Sequence, residues 1–478
     1  MKPQVTQKTQ VKSRLADLSE WYNNIVLKAQ LADYAPVKGC MVIRPYGYAL
    51  WESIQAYLDK LIKDRGVKNA YFPLFVPMHY LQKEKEHVEG FSPQLAVVTI
   101  GGGEKLTENL AVRPTSETIM YDMYRQWTKS WRDLPILINQ WCNVVRWEKR
   151  TYLFLRTTEF LWQEGHCAHL THEESMDQVT WALNAYEQTY NDHLAMFGIK
   201  GVKSESEKFA GAGQTFTFEC LMPNGKALQA CTSHDLGQNF SKSFDWSVQD
   251  KTGAKVNPWQ NSWGLSTRSI GGLIMVHGDD NGLVFPPSVA PIQVVIVPLP
   301  NHNEALDLAS SIYEDLKKQF RIELDTIEDE TAGYKFNQWE MKGVPVRVEI
   351  GNREAAQNRA TIYRRDTGTK ELVSVTNLKS LLPELLKNIQ TNLLDKHRQF
   401  TQDNTHIVDN YEEFKKIMST TRGFISAFWC NNPQCEDQIK AETKATTRCL
   451  PLGAKPENGK CIVCSQPASH RWLFAQSY

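Results

Sequence analysis

The sequence of 478 residues lacks any run of about 20 consecutive apolar residues, the length that a membrane-spanning helix requires. Its start, MKPQVTQKTQVKSR, also lacks the apolar core of a secretory signal peptide. This start is basic and free of acid, so an organellar leader is one alternative. Because domain-like sequence begins by Trp21 and leaves little room for a leader, we expect a cytoplasmic location.

An excess of charge of either sign is also absent, with 54 Lys plus Arg against 54 Asp plus Glu. Any nucleic acid must therefore be held by a local basic surface rather than by the charge of the whole chain. The 10 cysteines follow no secretory signal; they are scattered through the first half of the chain and then cluster near the end. This distribution indicates reduced thiols and a metal site rather than disulfide bonds. GGGEK (101–105) lacks the spacing of a Walker phosphate loop and predicts a hairpin turn.

The patterns that are present predict about three domains, as expected for this length. An amphipathic helix is predicted at 48–65, and strand patterns from 93 to 285, with a helix at about 172–197, indicate an antiparallel sheet with flanking helices. FPPSVAP (285–291) breaks regular structure and marks a boundary. Alternating strands and helices then predict an α/β domain, with strands at 292–299, 321–327, 344–350 and 359–364 and helices at 303–320 and 383–397. We therefore expect domains at 1–287, 288–398 and 399–478.

The strand VPVRVEI (344–350) places its valines on one face and leaves Arg347 and Glu349 on the other. Seven Lys or Arg and three Asp or Glu lie between Lys342 and Lys370, so this region carries a local positive excess. The pattern predicts a surface that faces RNA. Solvated surface charge is the alternative.

Three arginines occur in a pattern that suits a nucleotide. Arg146-Trp147-Glu148 is followed after a turn by Arg156 and then by Phe160, so two hairpin strands can present two guanidinium groups to a polyphosphate and a ring to a purine. Ion pairs on exposed strands are the alternative. A third arginine, Arg268, follows Gly264 and begins an apolar run, where it can complete a clamp around ATP.

These segments resemble motifs 2 and 3 of class II aminoacyl-tRNA synthetases, and the helix after VKGCMVIRP (37–45) resembles motif 1, which implies a dimer. From about residue 19 to the end, the chain resembles prolyl-tRNA synthetases of the archaeal and eukaryotic type. The strings that carry this resemblance are KGCMVIRPYGYALWE (38–52), EKEHVEGFSP (84–93), RPTSET (113–118), FLWQEGHCAH (160–169), EKFAGA (207–212), ALQACTSHDLGQNF (227–240) and HGDDNGLVFPP (277–287).

The resemblance implies an α/β and α+β multidomain protein: a catalytic domain with the class II antiparallel sheet, an α/β anticodon-binding domain and a small C-terminal zinc-binding α/β domain. It implies a ligase that activates L-proline with ATP and Mg²⁺ and transfers it to tRNA(Pro), with no DNA or membrane partner. The implied catalytic residues are Arg146, Arg156 and Arg268. The implied proline-binding residues are Thr115, Glu117, Arg146, Trp162, Glu164, His166, Phe209 and His234. The implied ATP-binding residues are Arg146, Glu148, Arg156, Thr157, Phe160, Gln229, Thr232 and Arg268. The anticodon would contact Glu340, Arg347 and Arg353.

Two close cysteine pairs near the end, Cys430-x4-Cys435 and Cys461-x2-Cys464, predict an all-cysteine zinc site that holds together a module with little core of its own. Shielded reduced thiols are the alternative, and Cys449 is a spare thiol between the pairs. The resemblance includes such a zinc domain and a chain that ends in tyrosine, here Tyr478, with a role near the active site. A loose terminus is the alternative for this residue.

About 100 residues separate the second and third motifs, too few for the editing insertion of bacterial-type enzymes. We therefore expect that mischarged alanine is not cleared in cis. Two other functions remain open: a synthetase of the same subclass for threonine, serine, glycine or histidine, and a non-catalytic paralogue that binds RNA. A threonyl enzyme would need metal ligands in its pocket, and a paralogue would be expected to lose the three arginines.

Overall fold

The computed structural model describes residues 14, 17–83, 95–299, 303–327 and 329–478. The string at 84–93 lies outside the described residues. The helices are α1 (Leu18–Lys28), α2 (Pro45–Asp64), α3 (Met78–Lys83), α4 (Glu117–Trp127), α5 (His172–Gln188), α6 (Asn239–Ser243), α7 (Arg268–His277), α8 (Asn303–Leu316), α9 (Ala332–Met341), α10 (Asn352–Ala356), α11 (Leu378–Asp403), α12 (Tyr411–Ser419) and α13 (Pro433–Thr443). None of those within the described ranges combines the length and apolar character needed to span a bilayer.

The strands are β1 (Ala32–Tyr34), β2 (Met41–Ile43), β3 (Lys68–Asn69), β4 (Phe75–Pro77), β5 (Ala96–Gly101), β6 (Glu104–Val112), β7 (Ile136–Val145), β8 (Glu159–His169), β9 (Ile199–Val202), β10 (Gln214–Leu221), β11 (Ala227–Gly237), β12 (Val248–Gln249), β13 (Lys255–Val256), β14 (Trp259–Ser266), β15 (Val294–Pro298), β16 (Ile322–Leu324), β17 (Val346–Ile350), β18 (Arg359–Arg364), β19 (Lys370–Ser374), β20 (Thr405–Ile407), β21 (Phe424–Phe428), β22 (Ala445–Pro451), β23 (Gly459–Lys460), β24 (Pro467–Ala468) and β25 (Arg471–Gln476). The predicted hairpin turn at 101–105 is confirmed, because β5 and β6 pair through Gly102 and Gly103, both at positive φ.

The central sheet has eleven strands in the order β20-β21-β25-β22-β9-β10-β11-β14-β8-β7-β3. From β9 to β7 every neighbouring pair is antiparallel, which confirms the predicted sheet. Helices α1, α2 and α7 contribute to a core with buried aromatic residues such as Trp21 and Trp263, whereas α4 belongs to a separate core around Tyr121 and Trp246. Thr171 caps α5 as predicted, although the α-helix ends at Gln188 and continues as the π-helical turn Thr189–His193.

A five-stranded sheet in the order β16-β15-β17-β18-β19 forms the next unit, and α8 and α11 pack on it. The mixed α/β pattern of the prediction is confirmed. The expectation that Arg347 and Glu349 lie on an exposed face of the sheet is wrong, because both side chains are buried. Helix α9 covers this face of β17, where Phe336 packs on Arg347.

The C-terminal module (residues 405–478) does not stand apart from the central sheet. Its strand β22 pairs with β9, so that Leu450 lies opposite Val202 and Pro451 opposite Gly201. The expectation that this module has little core of its own is wrong. It buries a cluster of large side chains that includes Phe414, Trp429, Trp472 and Phe474.

Candidate active site

A cavity of about 280 Å³ opens on the central sheet, where β8, β11 and β14 lie side by side. It brings together most of the residues that the resemblance implies for proline and ATP. These residues are Thr115, Glu117, Arg146, Phe160, Trp162, Glu164, His166, Phe209, Gln229, Thr232, His234 and Arg268. The period of two in a strand explains part of this set, because Trp162, Glu164 and His166 point to one face of β8.

Gly165 lies between these residues for a steric reason. A Cβ atom at this position would lie 2.1 Å from the indole ring of Trp263 on the neighbouring strand. The glycine therefore lets the large buried ring pack directly against the backbone of β8, behind the face that carries Glu164 and His166.

A β-bulge in β11 explains how Gln229 and Thr232, which are three residues apart, line the same cavity. Thr232 and His234 are two apart on β11, so they share a face, and Ala230 would be the next residue on it. Phe218 pairs with Cys231, but the next residue, Glu219, pairs with Gln229, so Ala230 is left out of the pairing. Gln229 therefore takes the position on this face that Ala230 would otherwise occupy. Gln229 consequently lines the cavity together with Thr232.

Glu164 is fixed by hydrogen bonds from β7, from its own strand β8 and from the residue before α4. Its Oε1 accepts from Ser116 Oγ at 2.5 Å, Gln140 Nε2 at 2.9 Å and Cys142 Sγ at 3.3 Å. Its Oε2 lies 2.9 Å from His166 Nε2. Ser116, Gln140 and Cys142 are not among the site residues predicted from the sequence. Ser116 lies within RPTSET, and the other two are spaced by two on β7, which is the signal that could have indicated them.

Glu117 and Glu164 form the buried acidic side of the cavity, and His166 lies beside them. Burial opposes a charge on His166, but the charge of Glu117 and the hydrogen bond to Glu164 raise its pKa above the usual 6.5. Its Nδ1 atom is buried and has no hydrogen-bond partner among the described residues. Glu117 is buried too and accepts a hydrogen bond from Thr115 Oγ1. A cationic amine is the kind of group that this arrangement suits.

Flat side chains form another part of the cavity wall. The rings of Phe209 and His234 stack with centroids 4.5 Å apart and planes at 29°. Thr215 Oγ1 lies 2.9 Å from His234 Nδ1 and also accepts from the backbone N–H of Phe209 at 2.9 Å. Burial lowers the pKa of His234 to about 4, so its ring is neutral at pH 7. The wall is therefore uncharged and planar, which suits a small saturated ring.

A second, smaller cavity of about 30 Å³ shares Arg146, Phe160 and Arg268 with the first. Its lining adds the remaining ATP candidates, Glu148, Arg156 and Thr157. The three arginines that are far apart in the sequence therefore line one small space, as the sequence predicted.

Arg146 and Arg268 are half-buried, whereas Arg156 is exposed. The guanidinium carbon of Arg146 lies 5.5 Å from the ring centroids of both Phe160 and Trp162, and Arg146 Nε donates to Pro114 O at 3.1 Å. Burial and the charge of Arg268 lower the pKa of Arg146 to about 10, so this group remains positive at neutral pH. A ligand that brings negative charge to this space relieves the repulsion between the two guanidinium groups.

The end of the chain reaches this site. Tyr478 Oη donates to Leu155 O at 3.1 Å, and the same carbonyl accepts from Arg268 Nε at 3.2 Å. The guanidinium of Arg268 lies 5.5 Å from the centroid of the Tyr478 ring. The alternative of a loose terminus is therefore wrong.

The two cysteine pairs come together in the C-terminal module. The Sγ atoms of Cys430, Cys435, Cys461 and Cys464 all lie within 4.8 Å of one another. Cys430 Sγ is 3.8 Å from Cys435 Sγ and 3.7 Å from Cys464 Sγ. A tetrahedral zinc ion with sulfur ligands places these atoms about 3.8 Å apart, so the four thiols fit such an ion. Cys449 lies on β22 outside this group.

The three residues expected to contact the anticodon differ in how much of each side chain is exposed. Arg347 lies between the rings of Phe336 and Tyr363, each centroid 4.2 Å from its guanidinium carbon, and pairs with Glu340 at 3.1 Å. Arg353 is exposed on α10.

Comparison with known proteins agrees with this geometry. Family models match as "tRNA synthetase class II core domain (G, H, P, S and T)" at residues 99–277, "Anticodon binding domain" at 293–385 and "Prolyl-tRNA synthetase, C-terminal" at 411–478. The proline–tRNA ligase of Alkaliphilus oremlandii is 51% identical over 463 residues, which cover 97% of this chain and 96% of that protein. The proline–tRNA ligase of Natranaerobius thermophilus is 50% identical over 467 residues, with the same coverage of 97% and 96%.

A crystal structure of prolyl-tRNA synthetase from Cryptosporidium parvum, complexed with halofuginone and AMPPNP, superposes with a TM-score of 0.95. It is 41% identical in sequence, and the match covers 98% of this chain and 99% of that one. With relatives this similar over nearly the whole length, the chain belongs to the prolyl-tRNA synthetase family, class II ligases that join proline to tRNA.

Proposed function

We propose that the larger cavity binds L-proline and that the smaller one, with its three arginines, binds the phosphates of ATP. Proline is activated to prolyl-adenylate and then transferred to the 3′-terminal ribose of tRNA(Pro). One observation carries the assignment of the site: Arg146 lines both cavities, where its guanidinium group feels the charges of both Glu117 and Arg268.

In the proline cavity, the secondary amine of proline is held by Glu117 and Thr115, since a buried carboxylate is the natural partner of an ammonium group. Trp162, Phe209 and His234 enclose the ring. Glu164 and His166 complete the pocket, and the four hydrogen bonds to Glu164 keep it from moving when the ligand enters.

For the activation step, the carboxylate of proline is the nucleophile, and no protein nucleophile is required. One carboxylate oxygen forms a bond to the α-phosphorus while the bond from that phosphorus to the pyrophosphate oxygen breaks. Arg146 holds the carboxylate and the α-phosphate, and Arg156 and Arg268 neutralise charge on the phosphates. Phe160 stacks on the adenine, and Glu148, Thr157, Gln229 and Thr232 contact ATP or its magnesium. Class II synthetases use ATP and Mg²⁺ generally, and oxygen donors such as Glu148 and Gln229 suit that ion, which when bound stabilises phosphate charge.

In the transfer step, a hydroxyl oxygen of the terminal ribose attacks the carbonyl carbon of the adenylate, loses its proton and displaces AMP. Glu340, Arg347 and Arg353 are the proposed anticodon contacts. The burial of Arg347 between two rings makes it a rigid support for Glu340, with which it pairs. We expect no clearance of mischarged alanine in cis.

We further propose zinc at Cys430, Cys435, Cys461 and Cys464, a homodimer, and a cytoplasmic enzyme of the archaeal and eukaryotic type. The distances between the thiols support the zinc site. The proposed domains are catalytic at 1–287, anticodon-binding at 288–398 and zinc-binding at 399–478. Each of the three parts has a hydrophobic core centred within it, which supports this division. A smaller cluster joins the catalytic and C-terminal parts and includes Leu221, Phe424 and Leu473.

ATP–pyrophosphate exchange with each of the twenty amino acids tests reaction and substrate together, and proline alone should give rapid exchange. Arg146→Ala should lower proline-dependent exchange at least 100-fold, the usual cost of losing one group that stabilises transition-state charge. The matched control is Arg132→Ala, which removes an exposed arginine on the short turn Trp131–Asp133. Near-normal exchange by the folded Arg146 variant would contradict the assignment.

A further inference from the structure

A loop that lines the proposed proline cavity is held at its start by the C-terminal module. This pocket loop (residues 203–213) connects β9 to β10, and Glu207 and Phe209 within it line the cavity. The far end of the loop is fixed by the catalytic strands, because Gly213 N donates to Asp235 O at 2.8 Å and Phe209 N donates to Thr215 Oγ1 at 2.9 Å.

The start of the pocket loop meets a buried carboxylate from the other end of the sequence. Glu436, on α13, accepts from Ser206 Oγ at 2.5 Å and from Ser204 Oγ at 3.2 Å. Thr447 Oγ1 also donates to Glu436 and lies 2.8 Å from Ser204 Oγ. Glu436 is only 5% exposed, and its hydrogen bonds to Ser204 and Thr447 are shielded from water, which would otherwise compete for them. Ser206 is exposed, and its bond to Glu436 is partly shielded.

The residue before Ser204 is fixed as well. Lys203 Nζ pairs with Glu219 at 2.8 Å, and Glu219 pairs in turn with Arg448 at 2.8 Å. The pairing of β22 with β9 ends at Val202, immediately before the loop. Strand β9 and Lys203 therefore form a fixed base, and Glu436 holds the first turn that leaves this base.

That first turn leads directly to the cavity. The backbone N–H groups of Glu207 and Lys208 donate to Ser204 O at 3.2 and 2.9 Å. A shift of Ser204 consequently moves Glu207, and with it the backbone that carries Phe209 against His234. The three side chains that donate to Glu436 do not line the cavity, so Glu436 acts on the cavity only through the loop.

We propose that Glu436 is a positioning residue for proline: it holds the pocket loop in the conformation that closes the cavity, and so makes the affinity for proline depend on the C-terminal module. This inference rests on the proposed function, because it takes the larger cavity to be the proline site. It assigns Glu436 no role in phosphate binding or in either bond-forming step.

The test uses the full chain, with Glu436→Gln and Ser206→Ala as separate variants and Asp437→Asn as the matched control. Asp437 is the next residue on α13 and is exposed. In proline-dependent exchange, Glu436→Gln should raise the KM for proline about tenfold, as expected when shielded hydrogen bonds to a charge are weakened. Ser206→Ala should raise it by a smaller factor, because the bond that it removes is only partly shielded. The KM for ATP and the kcat should stay within about twofold of the wild-type values, and the control should match the wild type.

A second measurement observes the loop directly. Trypsin cleaves after lysine, and Lys208 lies within the loop whereas Lys203 is buried. Cleavage after Lys208 should be faster in both variants than in the control, and saturating proline with ATP should suppress it. The double variant Glu436→Gln/Ser206→Ala should raise the KM for proline no more than the stronger single variant, because both changes remove the same contact.

The inference is overturned if the KM for proline is unchanged in both variants, or if KM for proline, KM for ATP and kcat change together in step with a loss of thermal stability. It is also overturned if the two single effects add fully in the double variant. Failure of the proposed site is a separate result, since it would appear as normal exchange by Arg146→Ala whatever the Glu436 variants do.

Discussion

The buried ion cluster where the C-terminal module joins the catalytic sheet provides a quantitative test of the fold. Glu219 is completely buried, and its carboxylate pairs with Lys203 at 2.8 Å and with Arg448 at 3.0 and 2.8 Å, while Thr217 Oγ1 donates to it at 2.9 Å. The variant Glu219→Gln keeps the shape of the side chain but leaves two buried cations without their counter-charge. Removing one partner of a buried ion pair costs about 3–5 kcal/mol.

The pKa values of the cluster give an independent magnitude. Burial alone would raise the pKa of Glu219, but the charges of Arg448 and Lys203 lower it to about 2. Burial lowers the pKa of Lys203, whereas Glu219 raises that of Arg448, so Arg448 is the stronger partner. The depression of the Glu219 pKa from 4.5 to about 2 corresponds to about 3 kcal/mol. Because the pKa is lower in the folded state, this stabilisation is present above pH 4.5 and is lost as the pH falls towards 2.

Differential scanning calorimetry measures this effect. At pH 7, Glu219→Gln should lower the Tm by about 3–5 °C if the chain unfolds in one transition. The difference from the wild type should shrink as the pH falls from 4.5 towards 2. Replacing all three residues, as in Lys203→Met/Glu219→Leu/Arg448→Met, should be less destabilising than Glu219→Gln alone, because no charge then remains buried. A loss below 1 °C at pH 7, or a difference that does not depend on pH, would refute this account of the junction.

Three further outcomes are expected. Tyr478→Ala should raise the KM for ATP several-fold in proline-dependent exchange and leave the KM for proline within about twofold, because its ring contacts Arg268. Cys461→Ser should reduce zinc from about one ion per chain to near zero by elemental analysis, whereas Cys449→Ser should retain it. Burial lowers the pKa of His397 from 6.5 to about 4, so folding favours its neutral form and its contribution to stability is lost as the pH falls below 6.5. Between pH 7 and pH 5 the wild type should lose about 2 kcal/mol that His397→Gln does not lose, as measured by the Tm of both proteins.

The residues that line the two cavities could largely be named from the sequence, because they lie within contiguous strings. Trp162, Glu164 and His166 belong to one strand, and period-two alternation places them on one face. The cysteine spacing predicted a cluster whose thiols do meet. In each case the relevant geometry is local, or follows from a motif whose members lie close together in the chain.

The residues that support those groups could not be predicted, since they depend on which strands become neighbours. Glu164 gains its hydrogen bonds from β7 and from Ser116, at sequence separations of 22 to 48 residues. Arg347 has the alternating pattern of an exposed residue, but α9 covers its face of the sheet, so burial there depends on a helix placed by tertiary packing. The bulge at Ala230 that brings Gln229 to the cavity leaves no sign in hydrophobic alternation.

The largest difference between expectation and structure concerns the C-terminal module, because this module contacts the proposed site. A separate zinc-stabilised module would be expected to affect the catalytic site little. The observed module instead extends the catalytic sheet through β22, places Tyr478 against Arg268 and places Glu436 against the pocket loop. These last two contacts reach different halves of the proposed site, the phosphates and the proline. Mutations at the two positions should therefore affect different Michaelis constants, whereas a module that only stabilised the fold would change both constants together.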